Sequence, residues 1–266
     1  MSTYNMKIYT YKYGAQVRFY QKPIEKRGKE EKYIEGKHGQ FEFKLKKKRE
    51  FSNTDETKDR EEAIRRSQNR SKNMIYQIAR SNEWNWYCTF TLNPNRVKDR
   101  YDYDECSKTF LSWLQNMKRS RAPDLKYLFV PEQHKDGAWH FHGLLSDTGD
   151  LLFLDSGHTY KNYEREDKAI YNLIEYTLGY SDISKVEKPE QISAYITKYI
   201  TKGLCELTFN KKRYWASRNL EKPIIEEYNI PEEEKDLLIA ENKEDIKDIR
   251  TKKFHRANNI TYIEFS

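Results

Sequence analysis

Tyr195 and Tyr199 stand four residues apart, and Lys198 and Lys202 repeat that spacing three residues behind them. At ~100° per residue the four side chains share one arc of a helix, about 100° wide. On the same wheel Ile196, Ile200 and Leu204 form a separate apolar stripe that could pack on a sheet. The chemistry of such an arc is nucleophilic. A phenol is a weak nucleophile at its ordinary pKa of about 10. A lysine that stabilises the phenolate, and a divalent cation that polarises a phosphate, would lower the barrier. The product would be a phosphotyrosine ester that keeps the energy of the broken bond, and two tyrosines one turn apart could attack in succession. The competing reading is an ordinary amphipathic helix with snorkelling lysines. In a chain with 21 Tyr, this motif alone does not decide between them.

A second pair of reactive side chains is His140 and His142, separated by Phe141. In a strand, alternation puts both imidazoles on one face and Phe141 on the other, with Leu145 on the Phe141 parity. Two nitrogens on neighbouring same-face positions make a metal pincer. On the preceding strand Glu132 and His134 share a parity and could lie across from the pair. Glu132 is preferred, because a carboxylate suits Mg²⁺ or Mn²⁺ better than a closed zinc site; His134 is the second choice. A surface or core role for the two histidines is about as common as a metal site.

The elements that must position these residues follow from pattern. Residues 4–20 alternate Tyr, Ile and Val with polar residues around Gly14 and read as a hairpin; Phe41–Leu45 reads as a short strand. Residues 55–80 lack Gly and Pro and predict a basic helix. Trp86–Leu92 is a dense aromatic and β-branched run stopped by Asn93-Pro94-Asn95, hence a strand and turn. Helical spacing covers 102–119. Strands are predicted at 126–130 and 139–145 around a turn at Asp136-Gly137, with a further strand or hairpin over 171–185 around Gly179. A helix over 190–204 follows Pro189 and ends at Gly203. Residues 213–217 read as a strand, 231–250 as an acidic helix and 259–265 as a terminal strand. The order predicts an α+β fold with a central antiparallel sheet and flanking helices.

Composition bounds the rest. The chain has 266 residues and a formal net charge of +7. Its mean hydropathy of −1.06 and short apolar runs exclude a membrane-spanning helix. The N-terminus has no apolar core of a secretory signal. Three scattered cysteines suggest a reducing compartment and neither a disulfide framework nor a cysteine-based zinc site. No Walker A motif is present. Residues 1–80 carry a net +10, residues 81–220 a net +1, and residues 221–250 a net −6. A basic front end fits a nucleic-acid partner, and Arg65, Arg66 and Arg70 on the basic helix are candidate phosphate contacts. A solvated helix face is the commoner role for any one of these arginines.

Three ordered segments together resemble the rolling-circle replication initiators, the Rep branch of the His-hydrophobic-His endonucleases. Phe90-Thr91-Leu92-Asn93 is similar to that family's first motif. His140-Phe141-His142-Gly143-Leu144-Leu145 is similar to its metal motif, and Tyr195 to Lys202 to the Tyr-x-x-Lys-Tyr-x-x-Lys form of its two-tyrosine class. The resemblance covers about residues 84–220, flanked by a basic 1–83 and an acidic 221–266. It implies a ferredoxin- or RRM-like palm, with the His pair on a central strand and the Tyr helix against it. It implies nicking of single-stranded or origin DNA, with the 5′ phosphate joined to Tyr and a free 3′ hydroxyl left to prime rolling-circle synthesis. Tyr199 would be the first nucleophile, and Tyr195 a second one or a general base. Lys202 and then Lys198 would hold phosphate or tune the phenol. A third ligand ahead of the His pair supports Glu132, and the cofactor would be Mg²⁺ or Mn²⁺. Thr91 and Asn93 would shape the sheet or touch DNA. No helicase segment is evident, so a host helicase and a DNA polymerase are the implied partners, in the cytoplasm of a bacterial host and with no membrane. The alternatives are a transposase or relaxase with the same chemistry, or a non-catalytic DNA-binding regulator. A relaxase usually places its Tyr before the His motif, the reverse of the order here.

Overall fold

A computed structural model describes residues 3–25, 56–162, 164–253 and 258–266. Its elements run β1 (Thr3–Thr10), β2 (Ala15–Glu25), α1 (Glu56–Ser81), β3 (Trp86–Leu92), α2 (Tyr103–Ser120), β4 (Lys126–Gln133), β5 (Trp139–Ser146), β6 (Phe153–Lys161), β7 (Asp167–Leu173) and β8 (Gly179–Lys185). There follow α3 (Pro189–Thr197), α4 (Lys202–Leu207), β9 (Trp215–Ala216), β10 (Ile224–Tyr228), α5 (Glu232–Glu241), β11 (Ile246–Lys252) and β12 (Ile260–Phe265). Among the described residues the fold is α+β, with two antiparallel sheets. The strand expected at Phe41–Leu45 lies outside the described residues. No helix among the described residues is long and apolar enough to cross a membrane.

The chain divides into two compact units. The inner one, residues 63–223 with 11–13, holds a seven-stranded sheet in the order β6-β7-β8-β3-β5-β4-β9. Alternation builds it. On β3, Cys88, Phe90 and Leu92 are buried. On β5, Phe141 and Leu145 are buried too, while the residues between them face the other way. The helix α2 supplies the opposing layer, and Phe110 stacks on Phe141 with centroids 4.1 Å apart. Asp102 caps α2 by accepting from the Glu105 N–H at 2.7 Å, and acidic first-turn and basic last-turn residues match the helix dipole. Ile64, Ile75 and Ala79 of α1 join the same core. Gly143 is obligatory at its place in β5, because a Cβ there would stand 2.0 Å from the Phe129 ring.

The second unit takes its described residues from 3–10, 14–62 and 224–266, and its sheet runs β10-β1-β2-β12-β11. The β1–β2 hairpin turns through Gly14 at φ 79°. Val17, Phe19 and Ile263 form its apolar centre, with Leu238 and Ile239 of α5 packed against them.

Two expected helices are shorter than their patterns implied. The 190–204 helix stops at Thr197 and restarts at Lys202. Between them, Lys198 N–H donates to Tyr195 O, Ile200 N–H to Thr197 O and Thr201 N–H to Tyr199 O, bonds that span three, three and two residues. The hydroxyl of Thr197 bonds back to the Ser193 and Ala194 carbonyls, and that of Thr201 caps α4 by accepting from Leu204 N–H at 3.0 Å. Gly203 thus lies inside α4 rather than at a helix end. Likewise the acidic helix ends at Glu241, and residues 246–252 form β11. Ile246 and Ile249 sit at helical spacing, yet the strand pairs them with Phe265 and Ile263.

Candidate active site

Three neighbouring strands of the inner sheet set one row of polar side chains beside another. Thr91 pairs with His140 and Thr89 with His142 across β3 and β5. Glu132 pairs with His140 and Val130 with His142 across β4 and β5. Directly paired residues share a face, so Tyr87, Thr89, Thr91, His140, His142 and Glu132 stand on one side of the sheet.

The imidazoles are tethered from β3. Thr91 Oγ1 lies 3.1 Å from His140 Nδ1, and Thr89 Oγ1 lies 3.1 Å from His142 Nδ1. Tyr87 Oη approaches the same His142 nitrogen at 3.0 Å. On its other edge, His142 Nε2 meets Glu132 Oε2 at 2.7 Å. A carboxylate only accepts, so neutral His142 carries its proton on Nε2 and accepts at Nδ1 from a β3 hydroxyl. That bond from His142 is the main reason the Glu132 carboxyl is held below the usual range. Burial first, and then the neighbouring His134 and His142, depress His140. The ring of His134 stacks on His140 with centroids 5.0 Å apart, so the second-choice residue also reaches this place.

The tyrosines arrive from the broken helix. Tyr199 is 8% exposed, and its ring lies nearly parallel to His142, centroids 4.0 Å apart at 10°. Its hydroxyl is 2.6 Å from Tyr87 Oη. Tyr195, on the last turn of α3, is 42% exposed and meets the Tyr87 ring edge-on at 4.9 Å. Lys198 places its ammonium 3.4 Å from the Tyr195 ring centre and 5.1 Å from that of Tyr199. The two phenols are driven apart electrostatically. Burial pushes Tyr199 well up. Burial also opposes ionisation of Tyr195, but the Tyr199 hydroxyl and the Lys198 ammonium outweigh it and hold that phenol below its ordinary value.

Not every expected residue is gathered in. The helix break separates Lys202 from the arc of the tyrosines, and its ammonium pairs with Glu206 at 3.5 Å. Asn93 uses its side-chain oxygen to accept from Asn95 N–H at 2.9 Å, shaping the turn after β3. Arg65, Arg66 and Arg70 lie on the exposed face of α1. That helix touches the tyrosine segment through Gln68, whose side-chain amide donates to Ile200 O at 2.9 Å. Sequence reasoning missed Tyr87 and Thr89. Their parity with Thr91 on β3 carried the signal, but it could be used only once the pairing of β3 with β5 was known.

The donor types, two imidazoles and a carboxylate, fit a hard divalent cation, and their Nδ1 tethers are of the kind that orient metal-binding histidines. Among the described residues, however, no group of three or more His, Cys, Asp or Glu side chains stands in metal-holding geometry. Glu132 closes on His142 instead.

No curated protein and no solved structure matches this chain. Residues 85–204 do match a family model, that of the ORF2-type replication-associated proteins. The matched span opens just before β3 and reaches into α4, so it takes in Tyr87, Glu132, the His pair and both tyrosines. Over the residues that build this cluster, the chain is similar to replication-associated proteins.

Proposed function

We propose that this chain is a replication initiator that nicks one strand of origin DNA by tyrosine attack. The observation that carries the reading is the parallel seat of Tyr199 on His142, 4.0 Å away, with Glu132 bonded to the far edge of that imidazole. A phenol, an imidazole and a carboxylate thus share one face of the sheet, within a span similar to replication-associated proteins. In the proposed step the Tyr199 oxygen attacks a backbone phosphorus. The Tyr–O–P bond forms and the P–O3′ bond breaks, so the 5′ phosphate stays on the protein. The phenol gives its proton to solvent, and the departing 3′ oxygen takes one up and becomes a primer terminus for a polymerase. Tyr195, exposed and beside Lys198, is available for a second transfer that would rejoin strands.

His140, His142 and Glu132 are the residues that would hold Mg²⁺ or Mn²⁺, which when bound would polarise the phosphate oxygens. The chain's own part is to fix both imidazoles through Thr91, Thr89 and Tyr87, and to set the Lys198 charge where an anionic strand would pass. Unwinding would fall to a helicase of the host.

The test is incubation of the protein with a labelled single-stranded DNA library and Mn²⁺, followed by a denaturing gel. A protein–DNA adduct that survives denaturation, and is lost in the Tyr195→Phe/Tyr199→Phe double variant, is expected. Absence of the adduct with wild type, or its persistence in the double variant, would overturn the mechanism.

A further inference from the structure

Tyr87 touches both tyrosines and the metal-side histidine at once. Its hydroxyl lies 2.6 Å from that of Tyr199 and 3.0 Å from His142 Nδ1. Its ring meets Tyr195 edge-on with centroids 4.9 Å apart. We infer that Tyr87 is a positioning residue that selects Tyr199 over Tyr195 for the first attack. The inference rests on the proposed nicking reaction and names a determinant of its order.

A hydroxyl has one proton and two lone pairs. Because Glu132 can only accept, His142 accepts at Nδ1, and Tyr87 can donate there. The Tyr87 oxygen then accepts from the Tyr199 hydroxyl. This fixes the Tyr199 oxygen in place, on the loop between α3 and α4, where no regular helix holds the side chain. Tyr195 differs: it is on α3 itself and 42% exposed. Tyr199 is thereby pre-oriented beside the proposed cation site by a bond that Tyr195 does not duplicate at His142. Holding a reacting atom in place is worth more to the transition state than to initial binding, so loss of the tether would be felt in which oxygen captures the phosphorus. Substituting Phe removes the hydroxyl and keeps the ring that packs on Tyr195.

The experiment uses the full chain, Mn²⁺ and a single-stranded oligonucleotide that the wild type cleaves. After reaction the adduct is digested and the modified tyrosine identified by mass spectrometry; trypsin cuts after Lys198 and so separates Tyr195 from Tyr199. In wild type the nucleotide is expected mainly on Tyr199. In Tyr87→Phe the ratio of Tyr199 to Tyr195 adduct should fall roughly tenfold, the effect of one hydrogen bond, with DNA affinity unchanged. Thr89→Val removes the other hydroxyl at His142 Nδ1 without touching Tyr199, and should lower total cleavage with the ratio kept. An unmoved ratio in Tyr87→Phe, or an equal shift in Thr89→Val, overturns the inference while leaving the nuclease reading intact. A wild type that forms no adduct with any strand overturns both.

Discussion

At the scale of single residues, the cluster separates two tasks that sequence spacing merges. Tyr195 and Tyr199 look equivalent as letters, each followed by a lysine. In the fold one is buried on an imidazole and the other is exposed beside an ammonium, and their acidities move in opposite directions. The histidines are also unequal: His142 is bonded on both edges, whereas His140 is tethered by Thr91 and covered by His134. His140→Ala is therefore expected to reduce cleavage on the order of 10²–10³-fold. Binding of the same strand should hardly change, because contacts to the remaining phosphates supply most of the affinity. Paired measurement of cleavage rate and strand affinity checks this, and an equal loss of both would make His140 a structural residue.

At the scale of elements, β5 depends on a missing side chain. Gly143 lies under the Phe129 ring, and a methyl there would also approach Leu128 O at 2.7 Å. Gly143→Ala should cost about 1–3 kcal/mol by overpacking, read as a lower urea midpoint, and should disturb His142 next to it. The same scale explains what could be read in advance. Trp86–Leu92 was legible to the residue because a β-branched and aromatic run meets Asn93-Pro94, which ends it. The His pair and Glu132 were legible through parity. The break at Thr197 was not, since Ile196, Ile200 and Leu204 keep helical spacing across it and no Gly or Pro marks it; two threonine hydroxyls reshape the backbone locally. β6 was missed because its side chains are mostly exposed and carry no apolar alternation. β10 was missed because Ile224-Ile225-Glu226-Glu227-Tyr228 has neither period.

At the scale of the whole molecule, the excess positive charge of residues 1–80 and the acidic stretch after 220 looked like two unrelated flanks. Strands from both now stand in one sheet: β2 pairs with β12 and β1 with β10. Ile263 is fully buried at the centre of that sheet's core. Ile263→Ala should cost this unit about 2–5 kcal/mol. Hydrogen exchange is the suitable probe. Amides of β2 and β12 should lose protection while those of β5 keep theirs, and loss at β5 as well would mean that the two units open together.

That pairing also has a consequence in time. Gln16 and Glu264 bond across 248 residues of chain. During synthesis, β2 emerges from the ribosome with its neighbour on one side still unmade, and domains generally fold as units as they appear. Residues 63–223 hold all the strands of the inner sheet and can close first. The outer sheet must wait for β12, leaving one edge of the early hairpin open until translation has passed residue 265. Among the described elements, that hairpin spends longest as a naked edge, and it is the place where a slowed or truncated translation would expose the chain to aggregation.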